Sequence, residues 1–338
     1  MKKNKYIFVF IMLLAISVAG GIFTTAYITL SDHTETEGTI QVVTSFYPVY
    51  VAAENVIGNN QDVSLKNLSE PQTGCMHDYQ LTPQDMILLS KADVFIVNGG
   101  GIENFLSDVA KAYPDLVIIQ ATEGLELLGE GEEAHSHEEK EEGHVHSHEE
   151  EEEEHVHTHE EDGHNHGGEN AHAWMNTELY AQMVENIAVG LSKADEAHRE
   201  VYQENAKQYC AKVQKLTEQI QELKEALAGK STIIFHAAYA YTAEQLGMNV
   251  AYCLDLDEER QVSAGEVAEV MQEVQDNQVS IILAEEHYGK DMGDTLEKEG
   301  ACKVYYLDSL VRGTYEKDSY LKAMQKNIDL MQEIAGKE

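Results

Sequence analysis

From Asp195 to Gly229 the chain runs for thirty-five residues with no proline and no internal glycine. Within it Tyr209, Val213, Leu216, Ile220, Leu223 and Leu227 recur at spacings of four and three, which places them on one apolar stripe of an α-helix. Asp195 can cap the start of that helix and Gly229 can end it. At ~1.5 Å per residue it would reach about 50 Å, the length of two stacked lobes. A coiled-coil partner is the competing reading. About five turns of stripe serve equally well to bridge two lobes of the same chain.

The residues on either side favour the bridge, because both halves carry the same rhythm. Before the helix, short β-rich runs at 40–46, 62–68, 93–98 and 116–120 alternate with helical stretches at 49–57, 83–91 and 102–112. Thr82 and Pro83 form a typical helix start. After it come strand candidates at 232–235, 248–254, 280–286 and 303–307, with helices at 263–275 and about 316–334. Short apolar strands alternating with helices indicate parallel sheets covered on both faces. The fold class is therefore α/β, with two roughly four-stranded parallel sheets joined by one long helix. Residues 39–194 form the first lobe, 195–229 the linking helix, and 230–338 the second lobe.

One segment belongs to neither lobe. Residues 130–169 read EGEEAHSHEEKEEGHVHSHEEEEEEHVHTHEEDGHNHGGE and can bury no core. The segment holds ten of the sixteen histidines, namely His135, His137, His144, His146, His148, His155, His157, His159, His164 and His166. It is expected to be a disordered loop. A solvated acidic spacer or a pH sensor is conceivable, but repeated His-x-His steps offer several imidazoles to one ion, and the glutamates draw cations in. The segment thus reads as an accessory, weaker metal-binding loop. It carries −16 of the net charge of −38, and so acidic a chain is no partner for nucleic acid or anionic lipid.

Lys2, Lys3 and Lys5 precede an uncharged stretch from Tyr6 to Leu30, the pattern of an export signal. The stretch is long enough to span a bilayer, so an uncleaved anchor is favoured over a cleaved signal. The rest of the chain then lies outside the cytoplasm, at the cell surface or in a periplasm. Export permits disulfides, and Cys253 with Cys302 is the favoured pair among Cys75, Cys210, Cys253 and Cys302.

Of the remaining histidines, His77, His172 and His236 fall in loops outside the carboxyl ends of strands, where parallel sheets place ligand-binding groups. His33 and His198 read as surface residues. Three imidazoles with one carboxylate make a near-tetrahedral site that prefers zinc. Asp308, Glu285 and Glu286 also follow strands and are the acidic candidates. No His-Glu-x-x-His helix and no Gly-x-Ser-x-Gly elbow is present, and Gly99, Gly100 and Gly101 lack phosphate-loop spacing. They read as a strand-to-helix turn, and the chain reads as a binding protein and not an enzyme.

TSFYPVY (44–50), HDYQLTPQDM (77–86), KADVFIVNGGGIE (91–103), AHAWMN (171–176), FHAAYAY (235–241) and LDSL (307–310) together resemble one family. It is the zinc-binding solute-binding proteins of metal ABC transporters, the ZnuA/AdcA type of cluster A-I, and the likeness covers about residues 40–338. The resemblance implies one metal in a cleft between two lobes joined by a rigid helix, with His77, His172 and His236 as ligands. Asp308 matches the family's fourth position, with Glu285 and Glu286 as alternatives. Manganese-binding relatives carry glutamate at the third position, so His236 favours Zn2+ over Mn2+. The implied partners are an ABC permease and its ATPase, served by a monomer; a surface zinc buffer or adhesin acting without a transporter is the alternative. Two features depart from the pattern. Cys75 and Met76 replace a proline-rich approach to His77, and Cys75 reads as a disulfide or inert loop thiol before a zinc ligand. Ala171 stands in place of the usual aspartate before His172 and Asn170 precedes it, so the orientation of that ring is expected to come from elsewhere.

Overall fold

The computed structural model describes residues 39–69, 74, 76–77, 79–129, 168–256, 262–299 and 302–336. The first lobe contains strands β1 (Ile40–Thr44), β2 (Val63–Asn67), β3 (Val94–Val97) and β4 (Val117–Gln120). Its helices are α1 (Tyr47–Ile57), α2 (Pro83–Leu89), α3 (Leu106–Ala112) and α4 (Thr177–Ala194). Helix α5 (Arg199–Leu227) follows. The second lobe has strands β5 (Ser231–Ile234), β6 (Asn249–Cys253), β7 (Ile281–Ala284) and β8 (Lys303–Tyr306). Helices α6 (Tyr239–Leu246), α7 (Ala264–Asp276), α8 (Glu286–Lys298) and α9 (Ser319–Ile334) complete it.

Both sheets are wholly parallel and share one topology. Their orders are β2-β1-β3-β4 and β6-β5-β7-β8. The inner strands are the apolar ones: every residue of β3 and β7 is buried, as expected of strands covered on both faces. Local chemistry sets the helix starts. Thr82 and Asp85 exchange side-chain-to-backbone bonds around α2, and Ser263 and Glu266 do the same at α7.

Helix α5 lies against α1, α4, α6 and α9. Tyr202, Ala206, Tyr209, Val213, Leu216, Ile220, Leu223 and Leu227 are all buried. Each large apolar side chain of that stripe stabilises by on the order of 2 kcal/mol before ordering costs. The apolar core this stripe enters is continuous between the lobes. It runs from Val43 and Phe95 through α5 to Tyr239, Leu307 and Ile328. A second, smaller core around Ile233, Phe235, Val270 and Ile282 fills the far side of the second sheet. The lobes are also laced by hydrogen bonds. Tyr47 Oη donates to the Thr314 carbonyl at 2.8 Å, and Asn55 Nδ2 to that of Lys317 at 2.8 Å.

Three expectations need correction. The long helix begins at Arg199 and not at Asp195, because Asp195 ends α4 and a 3₁₀ turn, Glu196–His198, intervenes. The Asp195 carboxylate is engaged instead by His198 Nδ1 at 2.6 Å and by Tyr202 Oη at 2.6 Å. His198, read from sequence as a surface residue, thereby ties the helix start to the end of α4. Its Nε2 also lies 3.4 Å from Asp62 Oδ2, beside β2.

Helix α3 starts at Leu106, not near 102, because Gly99, Gly100 and Gly101 all take positive φ and delay it. The expected Cys253–Cys302 disulfide does not form. Cys253 ends β6 and Cys302 precedes β8, the two edge strands of the sheet, with β5 and β7 between them. Three strand spacings are about 14 Å, twice the reach of a disulfide.

The His198 staple predicts a pH signature. Its hydrogen bond to Asp195, then the charges of Asp195 and Asp62, raise the His198 pKa above the usual range. The stabilisation is therefore fully present below the unfolded value of about 6.5 and is lost as pH rises through the higher folded value. His198→Gln should lower the thermal midpoint more at about pH 5.5 than at about pH 9. An equal or reversed difference in calorimetric scans contradicts the staple.

Candidate metal centre

The carboxyl ends of the two sheets converge on three histidines. His77 follows β2, half-buried and next to the fully buried Met76, and its carbonyl accepts from Asn104 Nδ2 at 2.7 Å. His172 lies in the turn that leads into α4 and is only 3% exposed. His236 follows β5 through Phe235, and its loop enters α6.

The rings meet around His172. His77 Nε2 and His172 Nε2 are 3.3 Å apart. The His172 and His236 ring centroids are 4.8 Å apart, nearly perpendicular at 83°. Two nitrogens bound tetrahedrally to one zinc at ~2.05 Å stand about 3.3 Å apart, so the first pair already has ligand spacing. His236 has further to go. Its Nδ1 accepts from the Ala238 N–H at 3.1 Å, so the neutral ring carries its proton on Nε2. That ring must change tautomer, or leave Ala238, before it binds a metal. Consistent with this, no three His, Cys, Asp or Glu side chains among the described residues are already drawn tight enough to hold an ion.

His172 is buried and held in one orientation. Desolvation by burial, then the neighbouring His236 and His77, hold its pKa well below the usual imidazole range, so its ring is neutral at neutral pH. Its Nδ1 lies 2.8 Å from Asn170 Oδ1, which also accepts the His172 backbone N–H at 3.1 Å. An acceptor at Nδ1 places the ring proton there and leaves the Nε2 lone pair facing His77. The ring also meets Trp174 edge-on, with centroids 5.0 Å apart. Trp174 Nε1 donates to the Ser309 carbonyl at 2.9 Å, one residue beyond Asp308.

The acidic candidates come from the second lobe. Asp308 follows β8, accepts the Leu310 N–H on Oδ1 at 2.8 Å, and is clasped through its backbone by Asn327 at 2.8 Å on both sides. Surrounding protein raises its carboxyl pKa, opposed by the Leu310 N–H and Lys326, although the side chain keeps a solvent-exposed edge. Asp308, Glu285, Glu286 and His287 line one cavity of about 680 Å³ together with Tyr306 and Arg312. Glu285 and Asp308 both act on buried Tyr239, three residues beyond His236, and after desolvation they further raise its hydroxyl pKa. Glu286 is the exposed first residue of α8.

Gly99, Gly100 and Gly101 serve this site as a scaffold. Their positive φ values fold the chain so that the Asn98 and Gly99 N–H groups donate to buried Glu103 at 2.7 and 3.0 Å. Burial raises the Glu103 pKa, while those bonds oppose the shift. Asn98 Nδ2 in turn donates to the Ala171 carbonyl at 2.9 Å, immediately before His172.

Residues 42–334 match the family described as the ZnuA zinc-uptake complex component A, periplasmic. The chain belongs to that family. It is 31% identical over 314 residues to the zinc-binding protein AdcA of Streptococcus pyogenes serotype M3, covering 89% of this chain and 58% of that protein. The high-affinity zinc uptake system protein ZnuA of Bacillus subtilis is 27% identical over 300 residues, covering 87% of each. The Zn(II)-bound ZnuA-like domain of Streptococcus pneumoniae AdcA has the same fold, with a TM-score of 0.67 at 23% identity over 89% of this chain and all (100%) of that domain. So does FpvC of Pseudomonas aeruginosa with bound Ni2+, at a TM-score of 0.69 and 19% identity over 88% and 98%. The chain spans 58% of the length of the AdcA relatives it matches.

Membership agrees with the α/β architecture read from the sequence. The expected anchor (1–38), Cys75 and the ten-histidine segment lie outside the described residues. Among the described residues no helix is long and apolar enough to cross a membrane. The expectation that the His172 ring is oriented from elsewhere than Asn170 is overturned, since Asn170 Oδ1 itself meets Nδ1 and the backbone N–H of His172; sequence reading also missed Trp174 and Glu103. Asn170, two residues before His172, was the available signal.

The glycine scaffold yields a paired test. A Cβ on Gly100 would lie 2.8 Å from Leu127 Cδ1 and 3.3 Å from Ala171, whereas one on Gly101 meets nothing within 4 Å. Gly101→Ala should cost about 1 kcal/mol, the left-handed penalty alone, and Gly100→Ala about 2–3 kcal/mol. Urea denaturation that ranks Gly101→Ala as the more costly would contradict the packing described.

Proposed function

We propose that this chain captures zinc outside the cytoplasm and delivers it to an ABC-type permease and its ATPase. The observation that carries the reading is the 3.3 Å Nε2 pair of His77 and His172, with His236 perpendicular to it from the other lobe. A borderline divalent ion suits imidazole nitrogen, and three imidazoles with one carboxylate favour tetrahedral zinc. His77, His172 and His236 are the ligands in this reading, and Asp308 is the fourth, with Glu285 and Glu286 as alternatives from the same cavity.

Zinc enters where His77 and His172 already stand at ligand distance. It then recruits His236 and an acid from the second lobe, closing the cleft modestly about α5. Release requires only the reverse, since the protein performs no chemistry on its substrate. Neutral His172 presents its lone pair without first losing a proton. Affinity nonetheless falls below about pH 6, where protons compete for imidazole.

The ten-histidine segment is an accessory collector in this reading. Its ends meet in an antiparallel bridge between Gly129 and Glu169, three residues before His172. Ions bound there must order chain, which weakens each site relative to a preformed one. The N-terminal apolar stretch holds the protein at the outer face of a membrane. The likeness to zinc-binding and zinc-uptake relatives supports this reading.

Titration calorimetry on His236→Ala tests the site: the tight zinc event should weaken by at least about a hundredfold, in keeping with loss of a direct ligand. Unchanged tight binding would overturn the ligand set. Deleting residues 130–169 should leave one tight zinc per protein and remove only additional, weaker equivalents. Loss of the tight event on that deletion would move the functional site into the segment.

A further inference from the structure

We infer that Asn170 is a positioning residue that builds the metal site from both lobes at once, setting the His172 ring and holding the His236 loop against it. This deepens the zinc reading and rests on it. Asn170 is 2% exposed, and every polar group it owns is engaged. Its N–H donates to the Leu128 carbonyl at 2.6 Å, and its carbonyl accepts from Tyr241 Oη. Oδ1 takes the His172 backbone N–H and faces His172 Nδ1, while Nδ2 donates to the Ala237 carbonyl at 2.8 Å. With a backbone donor on the oxygen and a backbone acceptor on the nitrogen, the amide has only one orientation.

The consequences differ on its two sides. On the first-lobe side, the oxygen fixes His172 with its proton on Nδ1 and its Nε2 lone pair toward His77. On the second-lobe side, the amide nitrogen grips Ala237, between His236 and the Ala238 N–H that engages His236 Nδ1. A carboxylate can perform the first task and cannot perform the second, because it has no donor and would face the Ala237 carbonyl with charge. An amide does both. Tyr241 extends the same clasp, since its hydroxyl also accepts the Leu128 N–H at 3.1 Å. The strand-like stem at Leu128 and Gly129 is thereby joined to the second lobe through the residue that sets His172.

The chain with both lobes intact allows each side to be read separately. Long-range nitrogen–proton NMR of the metal-free protein, with His172 assigned by difference from His172→Gln, should show the Nδ1–H tautomer in wild type. Asn170→Ala should lose that tautomer, and Asn170→Asp should retain it. Hydrogen exchange of the Ala238 amide should accelerate in both variants by about fivefold, the ratio that one net hydrogen bond supports. Chelator competition with zinc alone should show Asn170→Ala weakened by about 10- to 100-fold, the usual effect of losing an outer partner of a metal-bound histidine. Asn170→Asp should recover part of that loss. An unchanged tautomer in Asn170→Ala, or unchanged Ala238 exchange in both variants, overturns the inference. Tight zinc binding that survives His172→Ala would instead overturn the ligand set, and the metal-free measurements distinguish the two failures.

Discussion

An imidazole buried at the junction of two lobes must have all its polar needs met by protein, and the rest of this structure is arranged around meeting them for His172. Asn170 receives its Nδ1 and its backbone N–H. Asn98, at the end of β3, holds the carbonyl just before it. The turn then gives the Trp174 indole to Ser309 and the Trp174 carbonyl to Tyr320 at 2.9 Å, while the Thr177 N–H donates to Gln245 Oε1 at 3.1 Å. One short segment thus bonds to the first sheet, to the loop after β8, to α9 and to α6. Burial makes those bonds costly to break, since each orphaned group would forfeit its desolvation free energy of about 1–3 kcal/mol.

That arrangement explains an asymmetry in the site. His77 and His172 stand 3.3 Å apart, at ligand spacing, whereas the His236 ring is tied through Nδ1 to the Ala238 N–H. In the zinc reading proposed above, such a site suits capture: the ion would complete the geometry, and its binding free energy would draw the lobes together. The continuous apolar core along α5 limits how far they can part. In that reading closure is small and is carried by the loops bearing His236 and Asp308 more than by the helix.

Much of the architecture was legible in the sequence because it is written in periodicity. The strand runs around β3 and β7 and the stripe on α5 are unbroken, and no tertiary contact overrides them. Helix α4 went unread although Asn176 caps it and Tyr180, Met183, Val184, Ile187 and Leu191 line its buried face. Its start lies eight residues past an acidic run that dominates any window covering it. Asp195 misled for a different reason: its side chain suits a helix cap, but His198 and Tyr202 compete for the same carboxylate. The Cys253–Cys302 pairing required strand order, which no local pattern encodes. In the site, the three histidines were visible from their strand-end positions. Asn170 was discounted, because its bond to Ala237, sixty-seven residues away, leaves no local pattern.

The central claim is that one ion is held by imidazoles drawn from both lobes. Zinc-edge X-ray absorption on the protein lacking residues 130–169, loaded with one equivalent, addresses it most directly. The account predicts three imidazole nitrogens and one carboxylate oxygen at about 2.0–2.1 Å. A sulfur shell near about 2.3 Å, or fewer than three imidazoles, would contradict it.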